Sequence, residues 1–199
     1  MKVKVAITGG IGSGKSLAAQ YISEIGYPVF SCDQIYKEII KSEEYIHLIS
    51  RNFPACVTDN QIDRRALADI VFKDKTKLEI LNRLAHPLIM NELRSRMESC
   101  SAKLVFAEVP LLFECGYENE FDFIIIIMRN LKARITDIAR RDGISEDDII
   151  ARINNQFHYS EENISKHSTK AYILYNNDNE DRLEQEIKKC LATLEKRFS

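Results

Sequence analysis

Four of the seven glycines in this chain fall within one short stretch, Gly9-Gly10-Ile11-Gly12-Ser13-Gly14-Lys15-Ser16. Before it, Val3, Val5 and Ile7 alternate as a strand does. After it, Leu17, Ala18, Tyr21, Ile22 and Ile25 recur as one helical face, with Gly26 placed as a C-cap. The stretch therefore reads as a tight loop between a strand and a helix. Its spacing is G-x-x-x-x-G-K-[ST], and each position has a physical task. Glycines let the backbone take left-handed torsions and turn its N–H groups inward as an anion nest. Lys15 reaches the β- and γ-phosphates, Ser16 ligates Mg²⁺, and the following helix offers its positive end. The loop is a nucleoside triphosphate site, with Gly10, Ile11, Gly12, Ser13, Gly14, Lys15 and Ser16 as its binding residues.

Composition narrows what surrounds this loop. The chain has 199 residues, 45% of them hydrophobic, which suits one domain with a sizeable core. Lys and Arg number 28 against 30 Asp and Glu, so no global basicity points to a nucleic-acid partner. The longest uncharged apolar run, Phe123–Met128, is far short of the ~18 residues a membrane span needs. The N-terminus lacks the pattern of a signal peptide. Five cysteines form no C-x-x-C pair and are odd in number, and four histidines show no zinc-site spacing. Reduced thiols and a cytoplasmic location are the expectation.

Five runs read as strands: Lys2–Ile7, Pro28–Cys32, Lys103–Val109, Asp122–Met128 and Ala171–Tyr175. Most are rich in Val, Ile and Phe, as parallel strands buried on both faces require. Helical patterns lie between them. Leu131, Ile135, Ile138 and Ala139 form one face, ending near Gly143. Ser145 stands as N-cap before Ile149, Ile150 and Ile153. Leu183, Ile187, Leu191 and Leu194 mark a terminal helix. The alternation predicts an α/β fold with a five-stranded parallel sheet. Together with the glycine motif after the first strand, the expectation is a P-loop NTPase of three-layer α/β/α type. The second and third strands are too far apart for one crossover helix. A helical insert is expected at about 35–100 and a lid at about 129–169, leaving a core of about 1–34, 101–128 and 170–199.

Asp33 follows the second strand. In open α/β sheets ligands lie beyond the carboxyl ends of the strands, so Asp33 is a candidate proton acceptor. It is equally placed to N-cap the helix carrying Ile35, Tyr36, Ile39 and Ile40. Arg140 and Arg141 end a helix within the second insertion. A lid guanidinium there would neutralise transition-state charge. Spacing alone favours the plainer role, complementing the helix dipole and pairing with Asp137.

Taken in order, the motifs resemble the dephospho-CoA kinase family, whose phosphate loop looks like Ile7–Ser16 here. Asp33 falls at the last acid of that family's Asp-x-Asp signature. Ile62-Asp63-Arg64-Arg65-Ala66-Leu67 with Val71-Phe72, Leu84-Ala85-His86-Pro87-Leu88-Ile89, and Val109-Pro110-Leu111-Leu112-Phe113-Glu114 follow in sequence. Arg140-Arg141-Asp142-Gly143, Arg152-Ile153 with Gln156, and Asn176 complete the set. The resemblance spans nearly the whole chain. It implies phosphorylation of the ribose 3′-hydroxyl of dephospho-CoA by ATP with Mg²⁺, giving coenzyme A and ADP. It implies Asp33 as base, Lys15 and Arg141 as the cations on the phosphates, and Leu17 and Asn176 as further ATP contacts. Arg64, His86, Pro110, Leu111 and Glu114 would serve the acceptor. Plainer roles stand beside these: His86 before Pro87 as a helix start, Pro110 as a strand end, Glu114 as a surface cap, Arg64 paired with Asp63 or Asp69, and Gln156 facing solvent. The chain departs from the family pattern at Ser31, the place of the first acid, and at Leu17 and Ala171. In the lid helix, Arg134 and Asp137 stand where the family commonly has Gln and Arg. A kinase for another ribose or nucleotide acceptor, a nucleotide switch with slow hydrolysis, and a nucleotide-binding structural module are the competing classes.

Overall fold

The computed structural model describes residues 2–71, 73–178 and 180–198. Phe72, which belongs to one of the family-like segments, lies outside them. The chain divides into two compact units, Ser31–Ser99 and the residues on either side of it.

The flanking unit is built on a five-stranded parallel sheet, as the sequence predicts. Its strands are β1 (Val3–Thr8), β2 (Val29–Ser31), β5 (Leu104–Glu108), β6 (Phe123–Met128) and β7 (Ala171–Tyr175), in the order β2-β5-β1-β6-β7. β1 lies centrally, with Ile7 in register with Glu108 of β5 and with Ile125 of β6. That register brings the segments after β1, β5 and β6 to one edge of the sheet. Asn176 follows β7 at the same edge, and its N–H donates to the Met128 carbonyl at 2.8 Å.

Helices α1 (Lys15–Glu24) and α9 (Glu180–Phe198) pack against the sheet through one apolar cluster. Leu183, Ile187, Leu191 and Leu194 are all buried there, each burial contributing roughly 1.5–3 kcal/mol. Two residues of the predicted apolar faces are instead exposed, Ile25 at 42% and Leu131 at 53%. Both sit at helix ends, Ile25 as the C-cap of α1 and Leu131 as the first residue of α6 (Leu131–Asp142), where the face no longer meets the core. Helices α7 (Glu146–Asn154) and α8 (Glu161–His167) follow α6. Ser145 caps α7 as expected, accepting from the Asp148 N–H, and Gly143 ends α6 in the left-handed region.

The Ser31–Ser99 unit comprises α2 (Cys32–Ile39), α3 (Glu43–Asn52), the short strands β3 (Val57–Thr58) and β4 (Gln61–Ile62), α4 (Arg64–Val71) and α5 (Lys75–Ser99). Tyr45, Ile49, Leu67, Val71 and Ala85 form its core. The β3–β4 hairpin was not legible in the sequence, because strands of two residues show no alternation. Its turn, Asp59-Asn60, has φ of 49° and 58°, the left-handed pair that a tight hairpin needs. Helix α5 runs through Pro87. His86 therefore does not start a helix; it lies mid-helix and half-buried, and packing on both sides of Pro87 outweighs the lost backbone hydrogen bond.

Candidate active site

The chain leaves β1 at Thr8 and reaches α1 at Lys15 through the glycine-rich loop. Gly14 is the N-cap of α1, in the left-handed region at φ 96°. A side chain there would press into the Asn176 amide, so glycine is required twice over, by torsion and by space. Asn176 is buried and donates from Nδ2 to the Ser13 carbonyl at 3.0 Å. The role it displays is support of the loop from beneath. Ser13 is 1% exposed, and among the described residues its hydroxyl has no hydrogen-bond partner. Lys15 opens α1 and is half-buried; Leu17 packs toward the apolar cluster.

Ser16 Oγ donates to Glu108 Oε1 at 2.5 Å. Glu108 is 7% exposed at the carboxyl end of β5 and stands beside Ile7 in the register. Glu108 is not among the site residues legible in the sequence. The signal that finds it is an acid ending an otherwise apolar strand, next in the sheet to the strand that feeds the loop. A hydroxyl and a carboxylate side by side are hard oxygen donors of the kind Mg²⁺ takes. Among the described residues there is no cluster of three His, Cys, Asp or Glu. Mg²⁺ does not need one, since it is commonly held by one or two protein oxygens plus phosphates and water. The residues present fit the ion.

The segment joining α7 to α8 lies along the loop. The Ile11 N–H donates to Gln156 Oε1 at 2.7 Å, so Gln156 does not simply face solvent. Tyr159 Oη and Thr8 Oγ1 are 3.2 Å apart. Burial is the main reason the Tyr159 phenol is held well above its ordinary pKa, and the Glu114 carboxylate adds to it. Phe157 stacks on Phe113 with ring centres 4.5 Å apart, and its N–H donates to Glu114 Oε1 at 2.9 Å. Glu114 is thus an exposed acceptor that ties the segment after β5 to the segment after α7. Pro110 and Leu111 lie in that first segment, just past the end of β5.

Of the α6 arginines, Arg134 donates from Nε to the Ile11 carbonyl at 2.8 Å. Arg140 Nη2 meets Asp137 Oδ1 at 3.3 Å, the pairing expected from spacing, and Asp137 also pairs with Arg129 at 2.7 Å. Arg141 pairs instead with Asp142, Nε to Oδ1 at 2.7 Å and Nη2 to Oδ2 at 2.9 Å.

In the Ser31–Ser99 unit, Ser31 takes the N-cap of α2 and Asp33 lies within its first turn. The N-cap expectation for Asp33 is corrected by two residues: the helix starts at Cys32. Asp33 is exposed and, among the described residues, makes no hydrogen bond or ion pair. Arg64 is also exposed and pairs with neither Asp63 nor Asp69. Asp63 is engaged elsewhere, its Oδ1 accepting from the Arg65 and Ala66 N–H groups at 3.0 Å. Burial depresses the His86 pKa and favours the neutral imidazole.

The family model for dephospho-CoA kinases matches residues 3–181. This chain belongs to the dephospho-CoA kinase family. It is similar to the dephospho-CoA kinase of Thermus thermophilus, 35% identical over 96% of this chain and 91% of that protein. The dephospho-CoA kinase of Fusobacterium nucleatum is 32% identical over 96% of this chain and 97% of that protein. Among solved structures, one from Thermus thermophilus superposes with a TM-score of 0.81 at 33% identity, covering 97% of this chain and 98% of that one. The dephospho-CoA kinase of Campylobacter jejuni superposes at 0.69, with 28% identity and 98% of each chain covered. Shikimate kinase of Acinetobacter baumannii, at 0.56 and 13% identity, shares the fold. As a dephospho-CoA kinase family member the chain is an enzyme, and ATP is its phosphoryl donor.

Proposed function

We infer that the phosphate loop and its surroundings carry out the final step of coenzyme A biosynthesis: the γ-phosphoryl of ATP passes to the ribose 3′-hydroxyl of dephospho-CoA, giving coenzyme A and ADP. The observation that carries this reading is a complete phosphate loop, braced by Asn176, in a chain that matches the family from residue 3 to 181. The loop amides from Gly10 to Ser16 and the Lys15 ammonium hold the triphosphate. Leu17 and Asn176 stand at the margin of that site. Ser16 and Glu108 would hold Mg²⁺, which when bound screens the charge between the β- and γ-phosphates.

Asp33 accepts the proton of the attacking hydroxyl as its oxygen bonds to the γ-phosphorus and the bond to the ADP oxygen breaks. Its exposed carboxylate, with no partner among the described residues, is open to that role. Arg64 and His86 in the helical unit, and Pro110, Leu111 and Glu114 after β5, serve the acceptor side. Arg141 serves as the lid cation in this reading, with release from Asp142 as the requirement. The reaction takes place in the cytoplasm and involves no nucleic acid or membrane partner.

The test is ADP release with ATP and Mg²⁺, with dephospho-CoA present or absent, and the product weighed. A product one phosphoryl group heavier than dephospho-CoA, and ADP release dependent on it, is the expected result. Turnover indifferent to dephospho-CoA would turn the reading toward the nucleotide switch. Lys15→Ala is expected to abolish transfer while the thermal transition stays in place.

A further inference from the structure

The lid helix α6 places a guanidinium against the phosphate loop itself. Arg134 Nε donates to the Ile11 carbonyl at 2.8 Å. Its Nη2 lies so near Gly10 that a methyl group on that residue would come within 2.6 Å of it. The Arg134 Cβ lies over Gly12 in the same way, at 3.3 Å from where a Gly12 side chain would begin. Arg134 is thus laid along three successive residues of the loop.

Its charge is not compensated. Arg140, Arg141 and Arg129 each have a carboxylate partner. Arg134 has none among the described residues, and its four Nη hydrogens meet no acceptor there. It is half-buried, so part of its hydration is already lost. The surroundings make this worse. The loop is a nest of inward N–H groups, and α1 begins there with its positive end. A guanidinium brought to such a place raises the free energy of the empty site. An anion with several oxygens reverses that balance.

The Nε bond explains why the side chain stays. The Ile11 N–H is held by Gln156 and its carbonyl by Arg134, so the peptide is gripped on both sides. Nε serves as the anchor, and the Nη edge is left for a ligand.

We propose that Arg134 is a phosphate-binding residue of this enzyme: anchored through Nε on the Ile11 carbonyl, it presents its Nη edge to the triphosphate held by the loop. The proposal rests on the reading of the loop as the ATP site, and it does not depend on which acceptor is phosphorylated. Arg141, paired and 64% exposed, comes to the phosphates only after leaving Asp142. Arg134 is in place beforehand.

The experiment compares wild type with Arg134→Gln and Arg134→Lys. Gln keeps a hydrogen-bond donor for the Ile11 carbonyl without the charge; Lys keeps the charge. Binding of ATP and of inorganic tripolyphosphate is measured by calorimetry at low and high ionic strength. Arg134→Gln is expected to weaken both by about tenfold at low salt, with a smaller difference at high salt. Arg134→Lys is expected to recover most of the loss. The proposal is overturned if Arg134→Gln binds tripolyphosphate as wild type does, at both salt concentrations. It is also overturned if Gln and Lys weaken binding equally and lower the thermal transition together, which would leave Arg134 as a clip for Ile11. Product mass with wild type tests the reaction separately. Absence of coenzyme A together with Arg134-dependent tripolyphosphate binding would refute the reaction and leave this inference standing.

Discussion

Gly14 and Asp33 illustrate how far single residues carry the chemistry. At Gly14 the torsion of 96° and the Asn176 amide leave no room for a side chain. Gly14→Ala therefore strains the loop by about 1–3 kcal/mol and is expected to raise KM for ATP, measured in steady-state assays, more than it lowers the thermal transition. Asp33→Asn removes a proton acceptor needed in the transition state, so kcat is expected to fall far more than KM rises. A variant with near wild-type kcat would remove Asp33 from the role of base. The loop residues were legible because their spacing is contiguous and their context, strand before and helix after, is local. Glu108 and Arg134 were not, because what gives them meaning lies 92 and 123 residues away in the chain. Asp33 was legible as an acid after a strand, and its N-cap alternative failed by the position of one helix start.

At the scale of elements, strands and long helices were readable from periodicity, and their ends were not. β7 begins and ends where the pattern placed it, and α9 buries all four of its predicted apolar residues. Ile187→Ala in α9 is expected to destabilise by about 2–5 kcal/mol in denaturant titration, since a fully buried side chain leaves a cavity. Pro87 misled because its local rule was overridden by packing along α5. The β3–β4 hairpin escaped notice for want of length. The lid proposed for about 129–169 touches the loop through Arg134, Gln156 and Tyr159. Amide exchange across 131–165 is expected to slow when ATP and dephospho-CoA are both bound. Equal exchange with and without them would rule out nucleotide-driven closure.

For the molecule as a whole, the ionisation of His86 links pH to stability. Burial lowers the His86 pKa from 6.5, so below that pH the unfolded chain binds a proton that the folded chain resists. Stability from this group is present above about pH 6.5 and is lost as pH falls toward the depressed folded value. Thermal scans between pH 7 and pH 5 are expected to show a falling transition, with a shallower slope in His86→Gln. A slope unchanged by the substitution would assign the acid sensitivity elsewhere. The bracing of Ile11 has a further consequence, for the growing chain on the ribosome. Gln156 and Arg134 are synthesised 145 and 123 residues after the Ile11 they grip. At about 5–20 residues per second that is an interval of roughly 7–30 seconds. Throughout it the nascent protein carries every residue of its nucleotide motif without the side chains that grip Ile11. The grip on Ile11 is therefore completed only once the segment from Arg134 to Gln156 has been made, long after the motif itself.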